Sequence, residues 1–309
     1  MNGVIVLDKP SGFTSFDAVA VARGLTKEKK TGHTGTLDPM ATGVLPLLLG
    51  RAAKASSLLP DTEKEYVAGF RLGQRFDTGD ITGSLVEEDH KTVSPQALEQ
   101  ALAGFRGATE QVPPMYSAVS VQGQRLYQLA RKGIEVDRPA RAVFIHSLTL
   151  EHYDPASREG VLRAACSKGT YIRTLIEDVA RAAGSCGTMT SLRRTRACGF
   201  GLEEAVSLDH LRELAAKGAL GTVLLPVETL FREYPQAQVS GPQAVRFANG
   251  GALDMKRLRL PRITLPEGQP LRLYGPEGVF LGLAAVDGEA GQLKFLKRFA
   301  EDQPKEGDC

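Results

Sequence analysis

At 309 residues the chain exceeds one comfortable core, so a large domain with a smaller companion is expected, and 42% hydrophobic content is enough to fill both. No apolar run approaches the roughly eighteen residues of a membrane-spanning helix, and the opening MNGVIVLD meets an acid too soon for a signal peptide, so a soluble cytoplasmic protein is expected. A net charge of +2 can still hide a basic face, while Cys166, Cys186, Cys198 and Cys309 show no CxxC pair and no histidine at zinc spacing, which points to unpaired thiols and no metal.

Residues 3–7 read as a strand, and Ser15 as the cap of a helix reaching about residue 25. The helix runs into RGLTKEKK at 23–30, the first of three basic runs. The others are Arg193-Arg194-Thr195-Arg196, and Lys256-Arg257 with Arg259 and Arg262. One such run is usually a solvated face, whereas three dispersed along a chain form a candidate RNA-binding surface.

Residues 32–43, GHTGTLDPMATG, place one carboxylate, Asp38, among three glycines and a proline, which argues for a shaped loop over a helix or strand. Such a loop admits a bulky planar group close to the backbone, where Asp38 can act as nucleophile or general base. The competing reading is an Asx-turn in which Asp38 only bonds nearby N–H groups.

Residues 44–49 are an apolar run closed by Gly50, fitting a buried strand, and 65–72 alternate well enough for another. Asp77 and Asp80, in DTGD, superficially resemble a two-carboxylate glycosidase pair but read as turn formers near the site. Ser94 caps a helix to about residue 105, with Pro95 at its first position and Val93 and Leu98 as a hydrophobic staple. Residues 161–166 form a strand, after which Thr174 and Glu177 have capping-box spacing for an amphipathic helix to about residue 183. Ser207 repeats the cap-and-staple device with Val206 and Leu211. Strands and helices mix without βαβ regularity, which predicts an α+β fold with a mixed, largely antiparallel sheet.

Residues 109–141 are punctuated by Pro113-Pro114, Gly123, Gly133 and Pro139 and carry Tyr116, Arg125, Tyr127, Arg131 and Lys132. This mixture suits an insertion that folds over a charged, base-bearing ligand. A helical hairpin packing on the core through Leu126 and Leu129 is the alternative. From about residue 239 the texture changes to short strand-like pieces between glycines and prolines, with nine Lys or Arg against five Asp or Glu over 239–299. The expected organisation is therefore 1–235, a small basic β-barrel at 239–300, and a frayed polar tail at 301–309.

Three separated segments carry a resemblance: VLDKPSGFTS at 6–15, the Asp38 loop, and SKGTYIRT at 167–174. In that order they resemble the bacterial tRNA pseudouridine synthases of the TruB family, from the first residues to about 230 and more weakly beyond. The resemblance implies that Asp38 is the catalytic carboxylate and that Arg173 pairs with it. It also implies that Tyr66 stacks on the target base, that Tyr171 and Leu192 line the pocket, and that His33 fills the place of the extruded nucleotide. Lys9, in the DKP motif, would steady the loop or a phosphate. By the same resemblance 109–141 is a thumb gripping the RNA hairpin, and the C-terminal barrel is of the PUA type.

The chemistry implied is isomerisation of uridine-55 in the tRNA T loop, with base flipping, no cofactor, no protein partner and a monomeric enzyme. Absence of a Walker loop, a dinucleotide fingerprint and metal-ligand spacing agrees with that. Asp38 could attack C6, attack C1′, or take a sugar proton to give a glycal. A role as tRNA-folding aid accompanies the enzyme reading. The alternatives are a non-catalytic RNA-binding chaperone, a guide-RNA-dependent relative, for which a longer N-terminal extension and no large 109–141 excursion are expected, and a nucleoside hydrolase.

Overall fold

The computed structural model describes residues 1–300 except Asp61, Gln122, Pro261 and Arg262. The expectations for Arg262, Cys309 and the 301–309 tail fall outside the described residues. The fold is α+β, built on a ten-stranded mixed sheet whose pairings are antiparallel at all but two junctions. Across it lie Val206–Ser207, Gly3–Lys9, Thr42–Leu49, Gly187–Ala197, Lys64–Leu72, Glu159–Cys166, Arg141–Asp154 and Gly107–Gln111. Thr31–His33 and Phe200–Gly201 pair alongside Thr42–Leu49 and Gly187–Ala197.

The strands GVIVLDK and TGVLPLLL are apolar on both faces because both faces are covered. Ile5, Leu7, Leu45, Leu47 and Leu49 enter one core with the helices Ser15–Thr26, Pro95–Ala103, Ile172–Ala182 and Leu208–Ala216. Val4, Val6, Val44 and Leu48 enter a second core with Phe200, Leu230, Phe231, Leu283 and Phe299. That second core joins the large sheet to the C-terminal layer.

The C-terminal layer is a five-stranded sheet, ordered Gln236–Gln238, Pro270–Tyr274, Phe280–Asp287, Gln292–Arg298 and Leu253–Asp254. A bridge between Gln238 and Arg259 brings the chain beyond the last strand back to the first, curling the sheet around Phe247, Leu271 and Leu273. It also carries a helix, Gly241–Ala248, that the strand-like texture did not reveal. Ser240 starts that helix through a capping box with Gln243, with Pro242 in its first turn.

Local differences from the sequence reading have identifiable causes. Thr14, not Ser15, caps the first helix, accepting from Asp17 N, while Asp17 accepts from Thr14 N in return. The helix expected to begin at a Thr174 cap begins three residues earlier, with Tyr171 at the cap position and Ile172 as its first residue, because Gln111 acts from a distant strand. Its Oε1 accepts from Tyr171 N at 3.0 Å and its Nε2 donates to Tyr171 O at 3.3 Å. Gly107–Gln111 belongs to the large sheet, so the excursion starts after it. Within it the paired strands Ser120–Val121 and Gln124–Arg125 lead to the helix Leu126–Ala130, which packs inward through Leu126 and Leu129.

Candidate active site

Asp38 is presented by an irregular loop, 34–41, between the paired strands Thr31–His33 and Thr42–Leu49. Its backbone is fixed from three sides. Gly12 N donates to Pro39 O at 2.9 Å, the Lys9 ammonium donates to Pro39 O at 3.3 Å, and buried Ser15 exchanges hydrogen bonds with Leu37 N and O at 2.8 and 3.3 Å. The fourth anchor is Arg194, fully buried, whose guanidinium donates to Val44 O, Gly35 O and Thr36 O at 2.7, 3.1 and 3.5 Å. Gly43 crosses beneath at φ +102°, where a side chain would strike the Arg194 backbone.

Arg173 closes the site over Asp38. Its Nε lies 2.9 Å from Asp38 Oδ2 and its Nη2 donates to Asp38 Oδ1 at 3.2 Å, a two-point contact. The remaining donors reach Thr78 O at 2.7 Å and Tyr116 O at 2.9 Å. One guanidinium, 5% exposed, thus ties the Asp38 loop, the 77–80 turn and the base of the excursion to the helix Ile172–Ala182. Burial raises the Asp38 carboxyl above its ordinary value and Arg173 works against that rise, while Asp80, 3.9 Å from Arg173 Nε, adds to it. Asp38 keeps 31% of its side-chain surface, so an incoming group can reach it.

Tyr66 is 6% exposed and occupies the strand Lys64–Leu72 opposite Arg194, two register positions from the Leu192–Ala68 pair. Alternation puts Tyr66, Leu192 and Arg194 on one face of the sheet. Burial also raises the Tyr66 phenol, so it is neutral at physiological pH. Tyr171 is half-buried at the start of the Arg173 helix. His33 ends the strand leading into the loop and accepts from Gly35 N at 3.1 Å through Nδ1, and burial with nearby Arg194 lowers its pKa. Lys9 is buried, donates to Pro10 O, Phe13 O and Pro39 O at 2.9, 2.7 and 3.3 Å, and is brought down to about 8 by burial.

Asp77 and Asp80 shape the adjacent turn, accepting from Ser84 N and Thr82 N. The basic run Arg193-Arg194-Thr195-Arg196 does not form one RNA-facing surface. Arg194 is interior scaffold and Arg193 pairs with Asp8 at 2.8 Å, which leaves Arg196 exposed. Lys27, Lys29, Lys30, Lys256, Arg257 and Arg259 are exposed. A separate basic concavity lies between the two sheets, lined by Lys30, Arg51, Lys54, Lys297 and Arg298.

A partly open carboxylate in an irregular loop, held by a buried guanidinium from a helix, is the most distinctive charged feature of the large sheet. Residues 23–172 match the TruB family pseudouridylate synthase N-terminal domain, and 173–232 match the tRNA pseudouridylate synthase B C-terminal domain. The tRNA pseudouridine synthase B of Aromatoleum aromaticum is 45% identical over 290 residues, 93% of this chain and 90% of the relative. That of Pseudomonas aeruginosa is 41% identical over 302 residues, 96% of each chain. Among solved structures, the crystal structure of a Cbf5-Nop10-Gar1 complex aligns at a TM-score of 0.74 with 25% identity, covering 96% of this chain and 85% of that one. The chain belongs to the TruB family of pseudouridylate synthases.

Proposed function

We propose that this chain is a tRNA pseudouridine synthase that isomerises uridine-55 of the T loop, acting alone as a cytoplasmic monomer without guide RNA or cofactor. The observation that carries the reading is the two-point Asp38–Arg173 contact at 2.9 and 3.2 Å within a loop that leaves Asp38 partly open. The target base leaves the RNA stack and lies against Tyr66, with Leu192 and Tyr171 around it. Base flipping costs a few kcal/mol, and stacking offsets about 1–3 kcal/mol per base. His33 takes the place the base vacates.

Asp38, ionised and aimed by Arg173, opens the reaction as nucleophile or base. The N1–C1′ bond breaks, the uracil turns in its pocket, C5 joins C1′, and the C5 proton leaves while N1 gains one. Tyr66 sits nearest the C5 proton. Lys9 holds the loop through carbonyls, a supporting task distinct from the chemistry. The 112–140 segment closes over the RNA hairpin, and the exposed cations of the C-terminal sheet take phosphates further along the stem.

Tritium release from tRNA carrying C5-labelled uridine tests the reaction, and single-nucleotide mapping of pseudouridine in total tRNA from cells lacking the gene tests the position. No release, or loss of pseudouridine at a position other than 55, would count against the proposal. Release of free uracil would identify a hydrolase instead.

A further inference from the structure

The geometry points to a phosphate-binding site at Lys64, on the flank of the Asp38 loop, that takes a phosphodiester adjoining the flipped uridine. Lys64 opens the strand that carries Tyr66, and being two residues apart the side chains project from the same face. The separation along the strand is roughly 6.6 Å, the reach from a nucleobase to a backbone phosphate of the same nucleotide. The Lys64 ammonium rests against Gly35, where an added Cβ would lie 3.4 Å from Nζ and 3.7 Å from Arg194 Nη1. Two cations therefore converge on one bare α-carbon of the loop.

Their commitments differ. Arg194 is spent on three backbone carbonyls. Lys64 is half-buried, and among the described residues no carboxylate or carbonyl lies within hydrogen-bond or ion-pair reach of it. The cations acting on it are Arg194 and the exposed Lys168, and the side chains of Cys166 and Cys198 are also close by. Cys166 is pushed up to about 11 and is uncharged at neutral pH. Glu65, the neighbouring acid, points to the other face, where it binds Arg163 and Thr195. A partly desolvated charge surrounded by like charges is unfavourable in the free protein, and an anion entering between Lys64 and Lys168 would relieve it. An RNA phosphate arrives there whenever a base occupies the Tyr66 pocket.

This inference rests on the flipped-uridine reading above, and the test separates the two. T stem-loop RNAs are prepared with a neutral methylphosphonate at either linkage flanking the target uridine, and affinity, melting temperature and single-turnover tritium release are measured for wild type and Lys64→Met. Wild type should turn over native RNA and lose about tenfold in affinity for one of the two methylphosphonates. Lys64→Met should bind native RNA about tenfold more weakly, with a log-log salt slope smaller by about 0.7, and be indifferent to that methylphosphonate. It should melt no lower than wild type, since an uncompensated charge has been removed. Wild-type affinity and slope in Lys64→Met would overturn the assignment. So would a lower melting temperature with equal losses for all RNAs, which would make Lys64 a structural cation. Failure of wild type to release tritium would instead overturn the parent reading, and this one with it.

Discussion

Replacing Arg173 by lysine keeps one positive charge and removes everything else the guanidinium does. The arginine makes two contacts to Asp38 and one each to the carbonyls of Thr78 and Tyr116, from a side chain 5% exposed. A lysine ammonium is a compact point charge on a shorter reach, so it can serve Asp38 or the carbonyls but not both. Each carbonyl left bare in a buried site costs about 1–3 kcal/mol, and water entering the vacated volume brings the total toward the lower end, on the order of 2 kcal/mol. For a chain of this size that is a fall in melting temperature of about 3 °C.

The catalytic loss is larger, because a carboxylate aimed by two contacts becomes one held by a single movable contact. A displacement of about 1 Å at a reacting group costs about 100-fold. Arg173→Lys should therefore slow single-turnover tritium release by about 100- to 1000-fold at saturating RNA, equivalent to roughly 3–4 kcal/mol of barrier. Differential scanning calorimetry and rapid-quench kinetics on the same preparation measure both quantities. A rate within tenfold of wild type, with unchanged melting, would mean that the guanidinium is not what positions Asp38.

Asp38→Asn keeps the shape of the carboxylate without its charge, and should abolish isomerisation while leaving RNA binding near normal; turnover within tenfold of wild type would refute the role. Because Asp38 must be ionised to act and burial raises its pKa, the acid limb of kcat/KM should lie above the ordinary carboxylate value of about 4, with activity falling as pH drops through it. Tyr66→Phe should bind and flip RNA normally even if C5 deprotonation slows, and binding as weak as that of Tyr66→Ala would show that the hydroxyl, not the ring, holds the base. Removing residues 239–309 should lower RNA affinity and reduce the log-log salt slope by about 0.7–0.9 per lost phosphate contact, while retaining single-turnover chemistry at saturating RNA. The same cut strips Leu283 and Phe299 from the core around Phe231, at about 1.5–3 kcal/mol for each side chain, so the truncated chain should also melt earlier.

What the sequence disclosed about the site depended on whether the determining forces were local. Gly35 and Pro39 disfavour regular structure around Asp38, so its irregular setting was readable from the residues themselves, although Gly32 and Gly43, at the ends of the expected loop, belong to the strands Thr31–His33 and Thr42–Leu49. The contacts of Arg173 with Thr78 and Tyr116 close separations of 95 and 57 residues, and no periodicity encodes them. The same holds for Gln111, which determines where the Arg173 helix begins from 60 residues away and so displaced the expected Thr174 cap. Ser15 was read as a cap because its type favours one, yet Thr14 with Asp17 completes a capping box and frees Ser15 to hold Leu37.

Arg194 is the instructive error, because its signal was present. A run of three arginines in four residues invites a surface reading, but strand alternation places Arg194 on the face of Leu192, and Leu192 was already assigned to the pocket. A residue two positions along from a pocket residue in the same strand must share its side of the sheet, whatever its charge. The burial of Arg194 follows, and with it the need for acceptors, which the Asp38 loop supplies as the carbonyls of Gly35, Thr36 and Val44. The loop that holds the acid is thus built around Arg194, and Lys64 reaches the same glycine with no acceptor among the described residues, which is the opening the proposed phosphate site uses.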